Sequence, residues 1–459
     1  MARSGKGEAR PLTSRLSGIK YAILHFSDLS GLLKGRTIPG DVITDALKNG
    51  VGFDGSSIPG YVEISESDMV MKPDPETFAL FPEYFYGRSV ASFICDIFRP
   101  TGKRFESDPR YISERSEETI RAQGYEPTAA AELEFYLAKN DGNGGLLPIE
   151  AHLSDHQRYF DITPGRDLTE TYRMDLADAL SGMGIIIERH HHEVGASQNE
   201  ITFKFSKPTE TADRIMRYKF VAKGVADRKY GSIATFMPKP WFGKAGNGMH
   251  VHLGLKSSGG RNPFYDPEGY ACVSQTCRYF IGGLMEHAKA LSAVVAPTVN
   301  SYKRLVPGYE APVYVAWSKG NRSAFVRIPD YFPGDEGEAR LEFRCPDPLC
   351  NPYLAYAVLF EAGMNGIKRK IEPGDPVEEN IYHLSDARRK ELGVGTLPSS
   401  LKEAFEAWQS DDLCIKALGK DTAEKFRDMK MVEWKEYEAS FPKPTSEVTP
   451  WELDRYLLA

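Results

Sequence analysis

Five arginines are spread through residues 300–348, NSYKRLVPGYEAPVYVAWSKGNRSAFVRIPDYFPGDEGEARLEFRCPDP, with Glu310 and Glu342 among them. The arginines are Arg304, Arg322, Arg327, Arg340 and Arg344. Glu310 lies in a loop rich in Pro and Gly, and Glu342 stands two residues before Arg344. On a strand, residues two apart share a face. Guanidinium forks match phosphate and carboxylate oxygens, and a carboxylate among them can hold a metal ion. The chemistry these residues could do is phosphoryl or acyl-phosphate transfer. The alternative for this stretch alone is a solvated strand of alternating charge.

Three other stretches carry residues of the same kind. In AAELEFYLA, Glu132 and Glu134 alternate with apolar residues, so two carboxylates share one strand face. Like charges that close require a cation or a shared proton, and a divalent metal is the simplest partner. The alternative is a pair of exposed acids on an edge strand. In IIIERHHHEVGASQNEITFKF, Glu193 and Glu200 are preferred as ligands to His190, His191 and His192, because hard cations favour oxygen and adjacent strand residues face opposite ways. In FGKAGNGMHVHLGL, a Gly-rich loop precedes His250 and His252 on one face of a strand. In VGFDGSSIPGY, a loop can present Asp54, Ser56 and Ser57, although for this stretch alone a plain turn is the favoured reading.

The elements that position these groups follow from periodicity and breakers. A strand, tight turn and strand are expected from Lys20, and a short helix over 41–49 ends at Gly50. A strand starts near Ser89, and a helix starts at the capping Asp108 and stops at Gly124. Residues 139–148 read as a loop, and an amphipathic helix follows from Asp167 to about Gly184. The next strand starts at Ile185, breaks at the polar cluster, and resumes at Ile201. A long helix spans about 209–230. The fold class is α+β, with a flexible start at 1–17, a small domain over 18–107 and a large one over 108–459. A curved antiparallel sheet that turns its charged faces inward would form a metal-lined cleft with arginines at its mouth.

Composition limits the function classes. A chain of 459 residues with 41% hydrophobic and 26% charged residues can bury a large core. The net charge of −7 disfavours a general nucleic-acid role. No apolar run is long enough for a bilayer, and the polar first residues do not resemble a secretion signal. Six cysteines without a CxxC pair point to a reduced, cytoplasmic setting without a zinc or disulfide framework.

The ordered stretches FDGSSI, AELEF, HHEVGASQNEI, FGKAGNGMHVHLGL, SYKRLVPGYEAP, NRSAFVRIP, RLEFRCPDP and TPWELDRYLL resemble glutamine synthetases of the bacterial and archaeal class I type, over about residues 18–459. The resemblance implies a β-grasp-like domain joined to a catalytic domain. It also implies two stacked hexameric rings with each site shared between neighbours, and ATP, glutamate and ammonium as substrates. One Mg²⁺ or Mn²⁺ would be held by Glu134, Glu193 and Glu200, and another by Glu132, His250 and Glu342. Arg304, Arg344 and Gly246 would bind the amino acid. Glu188, Phe205, His252, Arg322 and Arg340 would lie at ATP, with Arg327 on the phosphoryl group in transfer. Asp54 and Ser57 of an adjacent subunit, with Tyr159, Glu193 and Glu310, would bind and deprotonate ammonium. Glu310 would sit on a flap over the amino acid.

Two positions depart from the family pattern. Ala245 stands where the family has an Asn that contacts glutamate, with Asn247 as a candidate substitute, and Gly254 replaces a common Ser. A γ-glutamyl ligase for an alkylamine or polyamine is therefore the competing reading, although the acidic ammonium pocket favours ammonia. A non-catalytic structural homologue would have lost metal ligands, and all six are present. Tyr382 sits where some relatives carry an adenylylated tyrosine; the surrounding residues differ, and an isolated exposed tyrosine without that modification is expected.

Overall fold

A computed structural model describes residues 12–142, 145–257, 259–330, 334, 336–443 and 445–459. The expected flexible start lies outside the described residues up to 11. From Leu12 to Arg15 the chain makes one helical turn, and Leu12 and Leu16 pack on the small-domain core.

The first sheet has the order β2-β1-β6-β4-β3. Its strands are β1 (Tyr21–Ser27), β2 (Leu33–Pro39), β3 (Val51–Asp54), β4 (Asp68–Pro73), β5 (Ala79–Leu80) and β6 (Val90–Phe98), with β5 on the side of β6. β1 and β6 run parallel, and the other pairs are antiparallel. Helix Ile43–Asn49 ends at Gly50, whose φ of 77° suits a residue without Cβ. The stretch expected as a loop at 51–57 is a strand followed by a tight turn, with Asp54 accepting from the Ser56 amide.

Asp108 caps helix Pro109–Ala122, which connects to the larger unit. Arg110 on this helix is buried. It binds Asp74 just after β4 (2.7 Å), Asp96 of β6, Glu114 on its own helix (3.2 Å) and Asp213 of the long helix Pro208–Tyr230 (3.1 Å). Arg110→Met is expected to lower unfolding free energy by about 3–5 kcal/mol, because buried carboxylates lose their counter-charge. The urea midpoint measures this, and a loss below about 1 kcal/mol would contradict it.

The second sheet has the order β16-β13-β14-β15-β12-β7-β10-β9, with β8 and β11 also on β7. The strands are β7 (Tyr125–Asn140), β8 (Leu146–Pro148), β9 (Ile187–His192), β10 (Gln198–Phe203), β11 (Ile233–Thr235), β12 (Met249–Ser257), β13 (Tyr314–Lys319), β14 (Ala324–Ile328), β15 (Leu341–Phe343) and β16 (Gly395–Thr396). All its pairs are antiparallel except β13 with β14. One face is apolar: Leu133, Phe135, Ile201, Val251, Leu253, Val326, Leu341 and Phe343 are fully buried. Each such side chain contributes about 1.5–3 kcal/mol relative to exposure. Helices Pro208–Tyr230 and Pro352–Arg369 belong to the same core.

Three expectations need correction. Residues 139–148 form the β7–β8 hairpin, with 143–144 outside the described residues. The three histidines lie within β9 rather than breaking it, because each pairs with a β10 residue. Tyr382 is half-buried, and its hydroxyl donates to the Ala311 carbonyl at 2.6 Å.

Among the described residues no helix is long and apolar enough to cross a membrane.

Candidate active site

The polar face of the second sheet gathers the site through strand register. Across β14, β15 and β12, Arg327 stands opposite Glu342, and Glu342 opposite His252. One step along, His250 on β12 stands opposite Glu132 on β7. One further step brings Glu134 on β7 opposite Glu200 on β10, and Glu200 opposite His191 on β9. Directly opposed residues point the same way, so six neighbouring strands deliver acids, imidazoles and a guanidinium to one surface.

Atomic positions form two groups. His250 Nδ1 lies 3.7 Å from Glu132, 3.8 Å from Glu342 and 4.0 Å from Glu134. One ligand atom each from Glu132, His250 and Glu342 falls within a 4.8 Å span. The second group of that size is His191, Glu193 and Glu200, with His191 Nε2 at 2.8 Å from Glu193. His191 was passed over in the sequence, yet it alternates with Glu193 and pairs with Glu200, a signal that strand parity alone contains. Glu134 sits between the groups, accepting from the Gly248 amide at 2.7 Å and from Gln198 at 3.3 Å.

A third group, Glu150, Asp167 and His192, meets the same spacing, but it is already occupied by protein charge. Arg158 Nη2 lies 2.6 Å from Glu150 and 3.1 Å from His192, and Arg173 pairs with Asp167. It reads as a structural ion network.

The electrostatics divide the carboxylates. Burial works against the Glu342 anion, but Arg344 at 2.6 Å and then His250 bring its pKa down to about 2. Burial opposes Glu132 too, and His252 and His250 outweigh it, holding the carboxylate well below its usual range. Glu134 is pushed up to about 8, by burial and then by Glu193. Glu200 is raised by burial and by the Glu132 and Glu193 charges. Burial and the Arg344 charge push His250 down to about 4, leaving a neutral imidazole. Around Glu134 and Glu200, burial and neighbouring carboxylates therefore outweigh the arginine charges of Arg304, Arg344 and Arg189. A hard divalent cation fits this donor set. Cation binding favours the ionised form, so Mn²⁺ added to chelator-stripped protein at pH 7 is expected to release about one proton per chain. Calorimetry in buffers of different ionisation enthalpy measures it, and heats independent of buffer would contradict it.

A cleft opens beside this surface. It is lined by Glu132, Glu188, Phe205, His252, Gly254 and Arg340, among others. Arg340 Nε donates to His252 Nδ1 at 3.3 Å, and Lys256 Nζ lies 5.1 Å from the Phe205 ring centroid.

The family model for the glutamine synthetase catalytic domain matches residues 106–456, and that for the glutamine synthetase beta-Grasp domain matches residues 18–100. The chain belongs to the glutamine synthetase family. It is 48% identical over 440 residues to glutamine synthetase of Thermotoga maritima, covering 96% of each chain. It is 44% identical to that of Methanosarcina mazei, covering 96% of this chain and 95% of the relative. A solved structure described as "GmaS/ADP complex-Conformation 1" superposes with a TM-score of 0.82 at 30% identity, covering 97% of this chain and 99% of that one.

The remaining residues implied by the glutamine synthetase resemblance fall in distinct places. Tyr159 stacks on Phe160 and meets the His191 ring edge at 5.6 Å, beside Glu193. Arg322 pairs with Tyr159 and is absent from the lining of the cleft, so it stands apart from Glu188, Phe205, His252 and Arg340. Arg344 Nη2 donates to the Glu310 carbonyl at 3.2 Å, and Glu310 has a φ of 57° in an exposed loop. Such positive φ is uncommon for a residue with a side chain.

Arg304 is buried and donates three hydrogen bonds to backbone carbonyls. Nη1 donates to the Cys345 and Pro346 carbonyls at 2.8 and 3.1 Å, and Nη2 to the Arg344 carbonyl at 3.2 Å. Gly246 lies against it; a Cβ there would meet the Pro238 carbonyl at 2.7 Å and Arg304 Cγ at 2.8 Å. Asn247 does not replace the missing Asn at 245. It is fully buried, donates to the Met237 carbonyl at 2.9 Å and accepts from Gln198 at 3.1 Å. Asp54 is exposed, and Ser56 and Ser57 donate to its carboxylate and hold its pKa low. In one protomer Asp54 and Ser57 have no hydrogen bond or ion pair to the carboxylate surface among the described residues.

Proposed function

We propose that this ligase makes glutamine from glutamate and ammonia, with ATP converting the γ-carboxylate into a γ-glutamyl phosphate. The observation that carries this reading is the row of acids, imidazoles and arginine on six adjacent strands, with a cleft at one end. In this reading ATP occupies the cleft, with Phe205 against the base side and Arg340 and His252 toward the phosphates. Arg327 and Arg344 face the reacting carboxylate. The Nε atoms of both are buried without a hydrogen-bond partner among the described residues. Arg304 fixes the backbone from which Arg344 projects.

Glu132, His250 and Glu342 would hold one Mg²⁺ or Mn²⁺, and Glu134, Glu193 and Glu200, with His191, another. When bound, these ions supply charge stabilisation for phosphoryl transfer. The second step needs neutral ammonia, while ammonium is the form present at pH 7. Tyr159, Glu193 and Glu310, with Asp54 and Ser57 of a neighbouring subunit, would bind the cation and take its proton. That the exposed Asp54 stands apart from the site within one chain supports a shared site in a ring assembly, read here as a dodecamer. Loop 306–311 would close over glutamate and keep water from the acyl phosphate.

A larger amine is the second reading. Ala245 leaves the amino-acid side of the pocket without a side-chain amide, and Asn247 is committed elsewhere. The test is ATP-dependent phosphate release with glutamate and ammonium, methylamine or putrescine. Saturation by ammonium with glutamine as product supports the first reading. A response only to a larger amine overturns it in favour of the second, and no response to any amine overturns both.

A further inference from the structure

Lys239 is an ammonium group almost sealed inside the protein, 2% exposed, with no carboxylate partner among the described residues. Its backbone is clamped by Asn300, whose Oδ1 accepts from the Lys239 amide at 2.6 Å and whose Nδ2 donates to its carbonyl at 3.0 Å. Asn300 Nδ2 also donates to Glu452 at 2.9 Å. Glu452 belongs to the capping box of the C-terminal helix Pro450–Tyr456 and is fully buried. The backbone of Lys239 is therefore held at both its amide and its carbonyl.

Its tip makes two contacts. Nζ donates to the Lys244 carbonyl in the Gly-rich loop, and it lies 3.7 Å from the ring centroid of Tyr309 in loop 306–311. Burial, then the Arg304 charge, lowers its pKa to about 8, and the Lys244 carbonyl and the Tyr309 ring are the groups that face its ammonium. A desolvated cation over an aromatic face is held more firmly than an exposed one. Tyr309 is otherwise 39% exposed, and its neighbour Glu310 reaches Arg344 only through its carbonyl. Loop 306–311 is otherwise held by Arg344 on the Glu310 carbonyl and by Tyr382 on the Ala311 carbonyl at 2.6 Å, and a loop with few contacts depends strongly on each of them.

We propose that Lys239 is a positioning residue that latches loop 306–311 to the Gly-rich loop, so that both walls of the amino-acid subsite move as one body. The inference rests on the reading of 306–311 as the flap over glutamate. It assigns Tyr309 the role of the flap's handle and ties the flap, through Asn300 and Glu452, to the C-terminal helix.

Hydrogen–deuterium exchange of the full-length protein without substrate tests the latch directly. Lys239→Met and Tyr309→Ala are expected to speed exchange across 306–311 by roughly 10-fold, while Tyr309→Phe, which keeps the ring, stays within about twofold of wild type. Tyr309 is a surface residue, so its variants remain informative if Lys239→Met folds poorly. The functional readout is glutamine formed per phosphate released. Both loosening variants are expected to release excess phosphate as the acyl phosphate meets water. Unchanged exchange in Tyr309→Ala overturns the latch. Faster exchange with one amide still formed per phosphate overturns its role in closure. Absence of amide from the wild-type chain is a failure of the ligase reading alone, because the exchange comparison needs no substrate.

Discussion

Glu342→Gln is expected to lower turnover by about 10²–10³-fold while the chain still folds. Glu342 is 1% exposed and serves two cations at once, Arg344 at 2.6 Å and Arg327, with the neutral His250 imidazole at 3.8 Å. The amide keeps the shape and loses the charge. Arg344, itself 2% exposed, is then left as a buried guanidinium facing a neutral oxygen. Affinity for Mn²⁺ at this position is expected to fall at least about 100-fold, since even outer-shell partners of metal ligands cost 10–100-fold. Turnover and Mn²⁺ titration on the same preparation check it. Turnover within about tenfold of wild type would remove Glu342 from the site.

Arg327→Ala is the second large effect, a loss of roughly 10²-fold or more in turnover. Arg327 pairs with Glu342 through one Nη, its Nε has no partner among the described residues, and its side chain is only partly buried. It is built to engage an additional oxygen. An interaction made mainly as charge spreads over a phosphoryl group lowers kcat and kcat/KM together, with a smaller change in the KM for ATP. Arg327→Lys keeps the charge without the planar fork and is expected to fall between alanine and wild type. A raised KM at normal kcat would make Arg327 a ground-state binder only.

Much of this was legible because strands alternate with a period of two. Glu132 with Glu134, His250 with His252, and Glu342 with Arg344 each share a face in the structure as the spacing implies. The helix at Asp108 and the stop at Gly124 follow from capping chemistry. Preference for oxygen donors ranks Glu193 and Glu200 above His191, while strand parity places all three together. The contacts of Lys239 with Tyr309 and of Gln198 with Glu134 are not legible in the sequence, because these partners lie tens of residues away, where no local period reaches. Tyr382 was read as exposed for the same reason: its hydroxyl meets a carbonyl 71 residues earlier. Arg304 shows what residue type alone leaves out: three of its donors hold the Arg344, Cys345 and Pro346 carbonyls, contacts that only the fold reveals.

The central claim is that divalent cations sit on the polar face of the second sheet. Anomalous scattering from a crystal of the full-length protein soaked in Mn²⁺ and nucleotide tests it most directly. The account predicts peaks among Glu132, His250 and Glu342 and among Glu134, His191, Glu193 and Glu200. A crystal with no peak there, or with its peak at Glu150, Asp167 and His192 instead, would contradict it.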